Sequence, residues 1–140
     1  MRNTPFENIV LQSDVALNDS DKTLTVTASR QWRIKSIYVK LISTATVGNR
    51  QVDVLITDAA DLPMAKLVAG AVQAASLTRE YIFAPANPQE TGFTNGVMFR
   101  ALPDQLTLPA GYKVRVYDSA AIAATADDMD VNMLVEEQRD

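Results

Sequence analysis

Apolar and polar residues alternate with period two along most of the chain, the pattern of strands that bury one face. Lys22 to Ala28 places Leu24 and Val26 on one face and threonines on the other. Gln31 to Thr44 is the longest strand candidate, and its phase changes partway. Trp32 and Ile34 share one face, whereas Ile37, Val39 and Leu41 share the opposite one. A switch near Lys35-Ser36 predicts a β-bulge or a strand bending between sheets. Gln51 to Asp58 follows a turn at Thr46 to Asn49, with Val52, Val54 and Ile56 facing in. These two stretches are expected to pair as an antiparallel hairpin. Thr78 to Ala84, Gly96 to Leu102 and Tyr112 to Asp118 continue the pattern. Asp128 to Glu136 alternates most cleanly, with Met129, Val131, Met133 and Val135 on its apolar face. A first strand is expected near Asn8 to Gln12.

Asp61 to Ala75 admits two readings. Met64, Leu67, Val68, Ala71, Val72 and Ala75 fall at helical spacing, with Asp61 as N-cap and Pro63 in the first turn. Gly70 sits mid-segment and weakens such a helix by about 1 kcal/mol. Two short strands turning at Ala69-Gly70 are the favoured alternative. Turn residues recur between the short strands, at Gly48-Asn49, Pro85 to Pro88, Thr94 to Gly96 and Pro109 to Gly111. Asp14 to Asp21 and residues 85–96 read as polar loops. About eight or more strands with little helix predict an all-β fold, an antiparallel β-sandwich of jelly-roll type. The whole chain, 1–140, reads as one domain, with residues 1–7 as an extended amino-terminal arm.

Composition narrows the chemistry. With 47% hydrophobic and 21% charged residues the chain has globular proportions. It contains no cysteine and no histidine. Disulfides and thiolate chemistry are thereby excluded, as are Ser-His and Cys-His catalytic arrangements. A catalyst would need carboxylates, Lys, Tyr or a bound cofactor. No cofactor is expected, and the protein is not expected to be an enzyme.

The net charge of -4 argues against a nucleic-acid partner. Residues 1–57 hold 7 basic and 5 acidic side chains, and residues 58–140 hold 6 and 12. That polarity suits orientation on a charged partner surface, unless folding scatters it. The amino terminus lacks the apolar core of a signal peptide, and no uncharged stretch is long enough to span a bilayer. Synthesis in the cytoplasm and no membrane partner are expected.

The carboxylates offer little. Asp128-Met129-Asp130-Val131-Asn132 matches the start of a calcium-binding loop, but Met133 replaces the turn glycine and Arg139 the bidentate glutamate. Alternation makes these acids the outer face of a strand instead. Asp58 and Asp61 flank a turn, where Asp bonds its own backbone. Most aromatic residues are in phase with aliphatic ones and read as core. Phe6, in the amino-terminal arm, and Phe93, in the 85–96 loop, are the exceptions suited to docking. With the basic residues Arg30, Arg33 and Lys35, they form the expected contact set for a partner surface or a second copy.

Four ordered elements carry a family resemblance. Gly48-Asn49-Arg50-Gln51 leads into Val52-Asp53-Val54-Leu55-Ile56-Thr57-Asp58, and Tyr81-Ile82-Phe83-Ala84-Pro85 follows. Then come Leu108-Pro109-Ala110-Gly111-Tyr112-Lys113-Val114-Arg115-Val116-Tyr117-Asp118 and Asp127-Asp128-Met129-Asp130-Val131. Over residues 22–137 this set resembles the capsid cement, or decoration, proteins of tailed bacteriophages. The resemblance implies a jelly roll on the outer head surface that bridges neighbouring major capsid protein subunits. It also implies self-association, as a homodimer in preference to a homotrimer, in a virion assembled in a bacterial host. The alternative is a lectin-like or receptor-binding β-module of a phage fibre or baseplate.

Overall fold

The structure, a computed structural model, describes residues 8–139. The expected arm over residues 1–7, including Phe6, lies outside the described residues. Ten strands form two packed sheets: β1 (Ile9–Asp14), β2 (Asp21–Thr25), β3 (Arg30–Ile42), β4 (Val52–Thr57), β5 (Pro63–Val68), β6 (Thr78–Ala84), β7 (Val97–Ala101), β8 (Thr107–Leu108), β9 (Lys113–Asp118) and β10 (Asp128–Arg139). One sheet runs β1-β10-β3-β6-β7, with β8 beside β3, and the other runs β2-β9-β4-β5. No helix occurs among the described residues.

The pairings define a jelly roll. β1 pairs with β10, β2 with β9, β3 with β6 and β4 with β5, all antiparallel. The chain is thus one long folded-back ribbon, its two ends together and its middle at the β4–β5 turn. Rolling that ribbon adds the β10·β3 and β9·β4 pairs and produces the two four-stranded layers. β7 and β8 lie between β6 and β9 and extend the first layer.

Alternation placed the core. Ile37, Val39, Leu41, Val52, Val54, Tyr81, Phe83, Val114, Met129, Val131, Met133 and Val135 are all sealed from solvent. Each such side chain contributes roughly 1.5–3 kcal/mol on burial. The expected phase switch in β3 is a bulge at Lys35. Leu134 faces Ser36, yet the next residue, Val135, faces Ile34, so Lys35 has no opposite number. The extra residue lets Trp32 and Ile34 share the core with Ile37, Val39 and Leu41. It also marks where β3 changes neighbours, from β6 beyond Ile37 to β8 at Trp32 and Arg33.

The expected hairpin between β3 and β4 does not form. β4 lies in the other sheet, between β9 and β5, and the 43–51 segment crosses the sandwich between layers. Asp61 to Ala75 contains strand β5, followed by a return bridge between Gln73 and Arg50, with no helix. One pair, β6·β7, is parallel. The 85–96 loop makes the long crossover that a parallel pair requires.

Candidate functional site

The expected contact residues fall at separate places. Arg30, Arg33 and Lys35 lie at the start of β3. The antiparallel register with β10 sets Glu136 opposite Arg33 and Glu137 opposite Trp32. Arg33 Nη1 donates to Glu136 Oε1 at 3.1 Å, and Arg30 Nε lies 3.7 Å from Glu137 Oε1. Trp32 Nε1 donates to the second oxygen of Glu137 at 2.8 Å. The basic half of the sequence is therefore folded against the acidic half here. Lys35 alone of the three is exposed, raised by the bulge. A dimple of ≈ 20 Å³ bordered by Arg33, Thr107 and Glu136 has room for nothing larger than a water.

Phe93 sits elsewhere. Its ring meets Tyr81 edge to face, with centroids 5.3 Å apart and planes at 78°, and the Arg79 guanidinium lies 5.5 Å from its centroid. Tyr81 faces Val39, so Phe93 lies about 20 Å along β3 from Arg33. It is half-buried against the core, and beneath it the Tyr81 hydroxyl donates to Gln73 Oε1 at 2.8 Å. The structure thus does not gather Phe93 with the basic residues.

Two buried charge clusters escaped sequence reasoning. Arg50 is wholly enclosed, and its five N–H groups are all taken. Nε and Nη2 grip Asp127 at 2.8 and 3.1 Å, Nη1 donates to the carbonyls of Thr46 and Gly48, and Nη2 also reaches Thr44. The Thr44 N–H donates to Asp127 as well, at 2.8 Å. Burial by itself would raise the Asp127 pKa, but the Arg50 and Thr44 hydrogen bonds outweigh it and hold the carboxyl below its ordinary value. This is a clamp between two loops, with no donor left for a substrate. Lys22 is similarly enclosed. Its ammonium donates to the Ala16 carbonyl and Asn18 Oδ1, both at 2.7 Å, with Asp19 and Asp14 at 3.1 and 3.5 Å. The sole sequence signal was an inward phase shared with Leu24 and Val26.

The acids of β10 lie where alternation put them. Asp128, Asp130 and Asn132 occupy one strand face, and Asn132 Nδ2 donates to Asp130 Oδ1 at 2.7 Å. Among the described residues no group of three or more acids stands close enough to hold a metal ion.

Two surfaces bear on docking. An open basin of ≈ 410 Å³ lies on the outer face of the smaller sheet, lined by Thr23, Thr25, Leu55, Thr57, Lys113 and Arg115. Its cations are occupied: Lys113 donates to Asp61 at 2.6 Å, and Arg115 forks onto Asp21 at 2.8 and 2.7 Å. The Arg115 guanidinium also covers Tyr117, 4.0 Å from its centroid, so no aromatic platform is displayed. The second surface is aliphatic. Ile9, Leu11 and Leu134 are exposed on the outer face of the larger sheet at its β1 margin, and Val15 and Leu17 are exposed in the loop that follows.

No protein-family model matches the chain, and no curated protein matches it. Among solved structures it is similar to the tobacco streak virus coat protein, with 9% identity and a TM-score of 0.38, over 96% of this chain and 89% of that one. A turnip yellow mosaic virus structure gives 10% identity and a TM-score of 0.34, over 99% and 84%. A structure of infectious bursal disease virus, Gx strain, gives 8% and 0.38; the match covers 96% of this chain and 35% of that one. The jelly-roll assignment rests on the strand pairings rather than on these likenesses.

Proposed function

We propose that the chain is a structural virion protein without catalytic activity. It binds the outer surface of a tailed-phage head, cements neighbouring major capsid subunits and acts as a homodimer. The supporting observation is the aliphatic strip of Ile9, Leu11 and Leu134, extended by Val15 and Leu17, on a scaffold whose buried charges are spent internally. Apolar side chains gathered at one margin mark an assembly surface. A jelly roll braced by two long central strands offers a stiff platform for it. The capsid contacts in this reading are Phe6, Arg30, Arg33, Lys35 and Phe93.

Purified protein mixed with undecorated heads should bind saturably and in fixed ratio to capsid subunits. No binding to heads would sink the reading. Lys35 is exposed, so Lys35→Ala tests a contact without touching the core. Head affinity should fall about tenfold if that residue is central to docking. The second reading, a receptor-binding module, is favoured by the threonine-lined basin on the smaller sheet. Glycan-array binding lost on Leu55→Asp would promote it over the first.

A further inference from the structure

Apart from the two-residue β8, the sandwich has four edge strands among the described residues: β1 and β7 in the larger sheet, β2 and β5 in the smaller. An edge strand presents backbone donors and acceptors that another chain can pair with, and proteins blunt such edges with charge, proline, bulges or a covering segment. Three of the four are blunted. Along β7, the Phe99 and Ala101 N–H groups donate to Glu90 Oε1 and Gln89 Oε1 at 2.8 and 3.2 Å, and the Phe99 carbonyl accepts from the Glu90 N–H at 3.1 Å. β5 opens on Pro63, carries Lys66 and shifts register against β4. β2 is short and bears Asp21 and Lys22.

Among the described residues, β1 has none of these devices. It pairs with β10 over Ile9 to Asp14 without a register shift, and its only charge is the terminal Asp14. Leu11 is 61% exposed, and Leu134, directly opposite on β10, is 39% exposed. The Asn8 carbonyl accepts from the Glu137 N–H at 2.7 Å. By antiparallel alternation Val10 and Gln12 also bond toward β10, so Ile9, Leu11 and Ser13 aim their N–H and C=O groups at the open edge.

We propose that a second copy of this chain adds to that edge, antiparallel, about a two-fold axis through Leu11. In this register Leu11 faces Leu11 of the partner subunit, and Ile9 faces Ser13 of the partner subunit. Asp14 faces Asn8 of the partner subunit, so no like charges oppose one another. On the outer face Leu134 and Leu11 continue into the same two residues of the second copy, closing an apolar row across the seam. The contact is isologous and self-limiting. It deepens the self-association in the proposed reading, and nothing in it depends on a capsid.

The full chain, 15.3 kDa, should run as a dimer in sedimentation equilibrium. Leu11→Lys should raise the dissociation constant at least about tenfold, by setting two ammonium groups face to face. Its circular dichroism should match the wild type, because the replaced side chain is exposed. Leu11→Cys supplies the only thiol in the chain and should give a disulfide-linked dimer on mild oxidation, as the Cα atoms of a hydrogen-bonded antiparallel pair lie about 5.5 Å apart. Val47→Cys, still more exposed but in the loop between β3 and β4, should not. A wild type that stays monomeric overturns the inference, as does a dimer unaffected by Leu11→Lys. So does a monomer that dimerises once residues 1–7 are deleted, since the chain's own segment would then be the occupant. Head binding is read separately: a Leu11→Lys monomer that still coats heads keeps the cement reading, and a dimer that ignores heads keeps this one.

Discussion

Arg50 and Asp127 form a wholly buried ion pair, joined by two hydrogen bonds and completed by Thr44, Thr46 and Gly48. Removing one partner of such a pair typically costs about 3–5 kcal/mol, since a charge is left uncompensated inside the protein. Arg50→Met should therefore lower the urea midpoint far more than a surface arginine substitution such as Arg79→Met. The pH dependence follows from the direction of the Asp127 shift. Its folded pKa lies below the unfolded one, so the native state binds fewer protons in that interval. The pair's stabilisation is fully present above about pH 4, the unfolded aspartate range, and is lost as acid carries the pH down through the folded value. The stability difference between wild type and Asp127→Asn should be flat from pH 7 to 5 and shrink below pH 4. Urea titrations at each pH measure it, and a difference as large at pH 2 as at pH 7 would refute the assignment.

At the scale of elements, the bulge in β3 makes an unusual deletion tolerable. Without Lys35 the order Trp32, Arg33, Ile34, Ser36, Ile37 alternates in, out, in, out, in, and the register with β10 closes up. The variant lacking Lys35 should fold, losing roughly 1–2 kcal/mol, with Trp32 still emitting as a buried indole. Deleting Tyr38 instead breaks the phase between Ile37 and Val39, turns one half of the strand inside out and should abolish folding. Gly70 is the opposite case. A Cβ there would lie 2.0 Å from the Glu90 carbonyl oxygen, a backbone atom that cannot step aside alone. Gly70→Ala should cost about 1–3 kcal/mol and push the loop that seats Phe93 off Tyr81, seen as a changed near-ultraviolet dichroism. The same elements show what the sequence could reveal. Alternation located β6, β9, β10 and the bulge, because each strand has one sealed face. It could not say which sheet a strand joins, so β3 and β4 read as a hairpin although the Arg50 loop carries the chain across the sandwich. Strand β8 has only two residues, too few for a period. Lys22 and Arg50 were invisible as core because hydropathy treats every charge as surface, and their burial is tolerable only because loops fold their oxygens back over them, residues 14–19 over Lys22, and Thr44 to Gly48 with the distant Asp127 over Arg50.

The fold of the whole molecule sets its folding kinetics. β10 lies between β1 and β3, so the larger sheet cannot close until the last strand of the chain meets the first. The charge asymmetry between the halves is spent in the same act, as Arg33 reaches Glu136 and Arg30 approaches Glu137 across that seam. Loop closure over nearly the full chain must precede most of the reward, which puts such sandwiches in the slow, millisecond-to-second range. Trp32 is the single tryptophan; it packs where β3 meets β8 and donates to Glu137 of β10. Its fluorescence should therefore report the closing of the roll itself. Stopped-flow refolding should show one dominant phase of about 1–1,000 per second in water, slowed by substitutions in the β3·β10 seam. A truncation ending at Asp127 should remain unfolded, since it leaves β1 without a neighbour and strips β3 of one side. A submillisecond burst that buries Trp32, or a folded truncated chain, would mean that the ribbon is stable before its ends join.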